Sequence, residues 1–190
     1  MIITLCNQKG GAGKTTLSFL LASAFSEIGK SVGLMDFDPQ HTATRAITNL
    51  AEKKATKIEL TTDPKGYDIV FIDTPPRLDK TLAKALGMSD KVILVSSPSP
   101  ADLWSTQESR DFVQTHSQGS ATKKLLFNSV VKSARLSKNL DFIAEAIGFE
   151  ALSKFLTRRQ AYQYAILQGW GILKPSERSE IQDVAMEMLV

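Results

Sequence analysis

A chain of 190 residues, 43% hydrophobic and 23% charged, has the composition of an ordinary globular protein with room for one continuous core. Its single cysteine, Cys6, excludes an internal disulfide and an iron–sulfur carrier, and makes a cysteine-built metal site a poor expectation. The net charge of +3 hides an asymmetry: residues 121–175 carry nine basic against three acidic side chains, whereas residues 176–190 carry one against four.

The chain opens on a short apolar run, Ile2–Asn7, which suits a strand covered on both faces. That run leads straight into a glycine-rich loop, so no secretory signal is expected, and no apolar stretch is long enough to span a membrane. Thr15–Gly29 follows as a helix with Leu17, Leu20, Leu21, Ala24, Phe25 and Ile28 on one stripe and Gly29 as its stop. Ser31–Asp36 and Asp68–Asp73 read as buried strands, and the polar stretch Ala51–Gly66 between them reads as a surface connection with little structure. Lys91–Ser96 is a fourth strand, Asp102–His116 a helix, and Lys124–Val130 a fifth strand. Leu136–Ile147 reads as a helix, Leu152–Leu156 as a possible sixth strand, and Gln160–Gln168 as a short helix. Ser176–Leu189 closes the chain as an amphipathic helix that Ser176 could cap. Such alternation predicts one domain over residues 1–190, an α/β fold with a mostly parallel, doubly wound sheet flanked by helices.

The chemistry begins at Lys9-Gly10-Gly11-Ala12-Gly13-Lys14-Thr15-Thr16, between a strand and a helix. A phosphate chain needs close backbone approach, convergent N–H donors and a positive helix end. Glycines permit the first two and the helix N-terminus supplies the third. Lys14 would reach the β- and γ-phosphates, and the Thr15 hydroxyl would hold Mg²⁺. Two strands then end in carboxylates: Asp36-Phe37-Asp38-Pro39-Gln40, and Asp73-Thr74-Pro75-Pro76. Ligands of parallel sheets bind beyond the carboxyl ends of strands, so the three motifs converge on one crevice. Asp73 is placed to orient Mg²⁺, chiefly through water.

The runs NQKGGAGKTT, DFDPQ and DTPP, in this order, resemble the ParA/MinD group of deviant Walker A ATPases. The segment from Leu156 through Gly169 is similar to the corresponding part of small plasmid ParA proteins. The resemblance implies ATP and Mg²⁺ as cofactors, slow hydrolysis, and a homodimer that can build larger assemblies. It makes Lys9 the signature lysine that reaches phosphates across a sandwich-dimer interface. Asp36 lies near Mg²⁺, Asp38 positions the attacking water, and Thr74, Pro75 and Pro76 form the γ-phosphate switch. No guanine-reading motif is present, which also favours ATP. Asn128 is a candidate adenine contact, with a purely structural asparagine as the alternative.

The resemblance further implies binding to DNA without sequence preference, stimulation by a centromere-binding adaptor of the ParB type, and a cytoplasmic, nucleoid-associated place of work. Because the first strand begins at Ile2, no DNA-binding domain is expected ahead of it. Lys132, Arg135 and Lys138 could share one flank of a helix that starts early, and Arg158 and Arg159 precede the short helix. These are the candidate DNA contacts, with a salt bridge or internal anchor as the alternative for the two arginines. Trp104 and Trp170 read as packing residues. A membrane-cycling relative would need a basic face on the last helix, but Glu177, Glu180, Asp183 and Glu187 there would be repelled by anionic lipid. A metabolic P-loop enzyme remains the other alternative.

Overall fold

The computed structural model describes residues 1–189, so Val190, the last residue of the expected domain, lies outside them. Five short apolar runs and one dipeptide form a single sheet: β1 (Ile2–Cys6), β2 (Val32–Asp36), β3 (Glu59–Leu60), β4 (Ile69–Asp73), β5 (Lys91–Ser96) and β6 (Thr122–Phe127). Their order is β3-β2-β4-β1-β5-β6 and every pairing is parallel. Parallel strands need crossovers, and seven helices supply cover on both faces. They are α1 (Lys14–Glu27), α2 (Thr42–Glu52), α3 (Lys80–Met88), α4 (Pro100–His116), α5 (Leu140–Ile147), α6 (Gln160–Gln168) and α7 (Pro175–Glu187).

Alternation along each strand divides the core into two layers. Ile3, Leu5, Ile93 and Val95 point toward α1, α2, α6 and α7. Cys6, Val92, Leu94 and Phe127 point the other way, toward α3, α4 and α5. Helix α1 is buried almost all round, because it lies between the sheet and an outer layer of α6 and α7.

Several expectations are corrected here. The sixth strand is not Leu152–Leu156 but Glu59–Leu60, at the opposite edge, inside the stretch expected to carry little structure. Residues 151–158 do run beside β6. Leu152 and Leu156 donate to the carbonyls of Leu125 and Phe127 at 2.8 and 3.0 Å, and Arg158 donates to Val130 at 3.0 Å. On the segment's far side the backbone N–H groups of Ser153, Lys154 and Thr157 donate to carboxylates of α7, at 2.6, 2.8 and 2.6 Å. Glu187 takes the first two and Glu180 the third, so side chains stand where a seventh strand would. The strand signal was therefore a half-strand, paired by isolated bridges only. The acidic face of α7 is in large part turned inward by these bonds.

Helices α2 and α3 arise where no helix was expected. Ala43, Ala46, Ile47 and Leu50 make the buried stripe of α2, and Asp79 caps α3 by accepting from Thr81 and Leu82 N–H at 2.9 and 3.1 Å. The expected helix over Leu136–Ile147 splits into a 3₁₀ turn, Arg135–Lys138, and α5. The cap of α7 is the Lys174–Glu177 pair around Pro175, with Lys174 N–H donating to Glu177 at 2.8 Å, and Ser176 lies inside the helix.

Candidate functional site

β1 and β4 are neighbours, yet α1 and α3, which follow them, cover opposite faces. A crevice therefore opens beyond their carboxyl ends, the place where open α/β sheets take ligands. The loop between β1 and α1 fills its floor and is fixed from both ends. At its start, Asn7 donates to the Val95 carbonyl at 2.7 Å and to Thr106 at 3.2 Å, while its own oxygen accepts from Lys9 N–H at 2.9 Å. Gln8 N–H donates to the Ser109 hydroxyl at 3.0 Å. At its end, Asn128 donates to the Ala12 carbonyl at 2.9 Å. Gly13 has φ 95°, and a Cβ there would lie 2.5 Å from the Asn128 amide nitrogen. Only glycine serves at that point, for both conformation and space.

Lys14, the first residue of α1, is 6% exposed. Burial holds its ammonium below the usual lysine range, with Asp73 opposing that shift. Asp73 is fully buried, and burial pushes its carboxyl up to about 7 despite the bond from Thr15. That bond runs from the Thr15 hydroxyl to Asp73 at 2.7 Å. Asp36 stands beside Asp73 in strand register. Its carboxylate accepts from Asp38 N–H at 3.0 Å and from the N–H and hydroxyl of Thr44 at 2.9 and 2.8 Å, which caps α2. Asp38 lines the cavity itself, and Thr74 is pinned by donating to the Leu5 carbonyl at 2.8 Å.

The cavity holds about 370 Å³. Gly10, Gly11, Lys14, Thr15 and Asp38 line it, together with Asn128, Arg158 and Tyr162. A glycine cradle at a helix N-terminus with a buried ammonium fits a polyphosphate. A hydroxyl bonded to a buried carboxylate is an all-oxygen donor pair, the kind that suits Mg²⁺.

The expected DNA contacts fare unequally. The Arg159 guanidinium pairs with α7, 3.1 Å from Glu180 and 3.9 Å from Glu177, the arrangement of the internal-anchor alternative. Arg158 and Lys132 are exposed and line one cleft, brought together by the Val130–Thr157 bridge. Arg135 and Lys138 are exposed on the 3₁₀ turn and share no helix flank with Lys132, because α5 begins only at Leu140. Trp170 is packed as expected, whereas Trp104 is 76% exposed and packs little. Lys9 is absent from the cavity wall, and its ammonium pairs with Asp102 of α4.

Asp102 escaped sequence reading, as did its companions Thr106 and Ser109. All three are buried, at 5%, 0% and 0% exposure, and with Val113 they form one helical stripe. Their spacing was the available signal: polar residues every three or four positions on the inner face of a helix need polar partners.

These features define a P-loop nucleotide-binding protein. Residues 3–172 match the family model described as the CobQ/CobB/MinD/ParA nucleotide binding domain, and the chain belongs to that family. Among relatives, "Maintenance of carboxysome distribution protein A" of Gloeobacter kilaueensis is 30% identical over 91% of this chain and 84% of its own length. The protein of the same name from Halothiobacillus neapolitanus is 24% identical over 98% and 95%. Among solved structures, a plasmid partition protein of Borrelia burgdorferi bound to AMPPNP superposes with a TM-score of 0.82 at 21% identity, over 99% of this chain and 98% of that one. No helix among the described residues is long and apolar enough to cross a membrane.

Proposed function

We propose that this protein is a ParA-type ATPase. It takes ATP and Mg²⁺ at the P-loop, pairs as a nucleotide-sandwich dimer that binds DNA non-specifically, and hydrolyses ATP slowly under an adaptor's stimulation. The observation that carries the reading is the placement of the two lysines: Lys14 is buried in the cavity, while Lys9 of the same loop lies outside it with its side chain 43% exposed. One cation serves the chain's own phosphates; the other, paired with Asp102 in the single chain, would exchange that carboxylate for the phosphates of a second copy. Backbone N–H groups of residues 10–16 and the Lys14 ammonium would bind the phosphates, and Asn128, beside the loop, is a candidate for the base. Thr15 and Asp73, with Asp36 beside them, would hold Mg²⁺, which neutralises phosphate charge when bound. Asp38, on the cavity wall, would orient the attacking water. Hydrolysis of this kind needs mostly positioning, so a site completed only by dimerisation acts as a slow timer.

The cargo would be a plasmid or chromosome, carried through a centromere-binding partner of the ParB type. A protein assembly is the second reading, favoured by the two relatives whose names concern carboxysome distribution. Sizing with ATP, ADP and no nucleotide tests the common core. Wild-type protein should dimerise with ATP only, and Lys9→Ala should stay monomeric while still binding ATP. A Lys9→Ala protein that dimerises like the wild type would overturn the assignment.

A further inference from the structure

Thr157, Arg158, Arg159 and Tyr162 line the same cavity as the glycine loop and form one wall of it. Phosphates belong at the glycine loop, which leaves this wall of the same cavity for the sugar and base of a nucleotide. Residues 157–159 form no helix or strand. What orders the wall is one carboxylate of α7, Glu180. Its Oε1 accepts from Thr157 N–H at 2.6 Å, from the Thr157 hydroxyl at 2.8 Å and from the Tyr162 hydroxyl at 3.0 Å. Its Oε2 accepts from Arg159 Nη2 at 3.1 Å and from the Thr157 hydroxyl at 3.0 Å. Burial pushes the Glu180 carboxyl up, but the Thr157, Arg159 and Tyr162 donors outweigh it and hold it below the usual range. Tyr162 is raised by burial first and by Glu180 next, so its hydroxyl keeps its proton and stays a donor.

We infer that Glu180 is a positioning residue for the sugar-and-base end of the nucleotide, holding the Thr157–Tyr162 wall from α7 without lining the cavity itself. The inference rests on the nucleotide reading above. It gives α7 a part in binding, although no residue of α7 lines the cavity. Removing Glu180 would leave two buried hydroxyls, a backbone N–H and a guanidinium without their shared acceptor, and the wall would loosen.

The test compares two ligands, Mg²⁺–ATP and Mg²⁺–tripolyphosphate, which has no sugar or base. Glu180→Ala should weaken ATP about tenfold, the scale of one lost charge-assisted hydrogen bond, and leave tripolyphosphate within about twofold. Tyr162→Phe keeps the ring and removes one donor, so it should lower the ATP-to-tripolyphosphate ratio in the same direction by less. A merely structural tie would lower both ligands together or neither, and an unchanged ratio in both variants overturns the inference. If Glu180→Ala does not fold, Glu180→Gln and Tyr162→Phe decide the matter by the same ratio. Wild-type protein that binds neither ligand would instead sink the nucleotide reading, and this inference with it.

Discussion

Asp73 is the residue at which the needs of folding and of the site conflict most plainly. A fully buried carboxylate loses its hydration, and two further carboxylates, Asp36 and Asp38, add to the cost; the Thr15 bond and the Lys14 charge offset only part of it. The folded carboxyl titrates at about 7 against an ordinary 3.8, so between these values the folded chain keeps a proton the unfolded chain has released. Metal-free protein should therefore lose stability as pH rises from about 4 to about 7, by at most about 4 kcal/mol from this group, taking 1.36 kcal/mol per unit. The loss is complete above pH 7. Asp73→Asn should remove this part of the slope and be the more stable protein at pH 8. Urea unfolding in chelator at pH 5 and pH 8 checks it; a wild-type–variant difference that does not change with pH would refute the assignment. Fold stability is thus set aside at the carboxylate proposed to hold a cation with Thr15.

Among the elements, α4 works as a splint for the phosphate loop. The Thr106 hydroxyl is its centre: it donates to the Asp102 carbonyl at 2.5 Å, accepts from Asn7 at 3.2 Å and meets the Ser96 hydroxyl at 2.9 Å, all out of contact with water. Thr106→Val keeps the shape and deletes the hydroxyl, leaving Asn7 and Ser96 short of a partner. It should cost about 1–3 kcal/mol, the penalty for buried polar groups left unpaired, and weaken ATP binding as the loop loosens. Unfolding midpoints and ATP titrations check both halves; a stability loss with unchanged affinity would show that the loop needs no splint. At the other end of the loop, Asn128 has the same role toward Ala12, which supports the structural side of the earlier alternative without removing it from the base's reach.

Over the whole molecule, charge is distributed differently from how it lies along the chain. Of the nine basic residues in 121–175, Lys124 pairs with Glu150 and Arg159 with α7. Lys132, Arg135, Lys138 and Arg158 are exposed, and among the described residues none is in an ion pair. If each chain meets about three phosphates, the salt slope for DNA should steepen from about −3 to about −5 on ATP-driven pairing, at about −0.9 per contact. Lys132→Glu with Arg135→Glu, both outside the nucleotide cavity, should flatten that slope without changing ATP affinity. Retention of an unrelated duplex at several salt concentrations, with ATP and with ADP, is the measurement; equal retention in both nucleotide states would leave these residues as a solvated surface.

The sequence by itself determined the parallel α/β plan and the phosphate site, for a local reason. The glycine-rich loop between strand and helix, and each carboxylate at a strand end, are motifs written within a few consecutive residues, although folding brings Thr15 to Asp73 across 58 positions of the chain. Short apolar runs such as Ile69–Asp73 cannot be satisfied except inside a covered sheet. It also held the stripe of α2 and the cap of α3, which went unread because short helices carry few repeats of their period. Tertiary structure alone decided the rest. Whether 152–156 is a strand depended on what lay at its far edge, and Glu180 and Glu187, about 30 residues away, filled that edge with side chains. Whether Arg159 faces a polyanion or a carboxylate, and whether Lys9 is free or held by Asp102, likewise turned on partners distant in sequence. A charge's neighbours are set by packing, and no spacing along the chain encodes them.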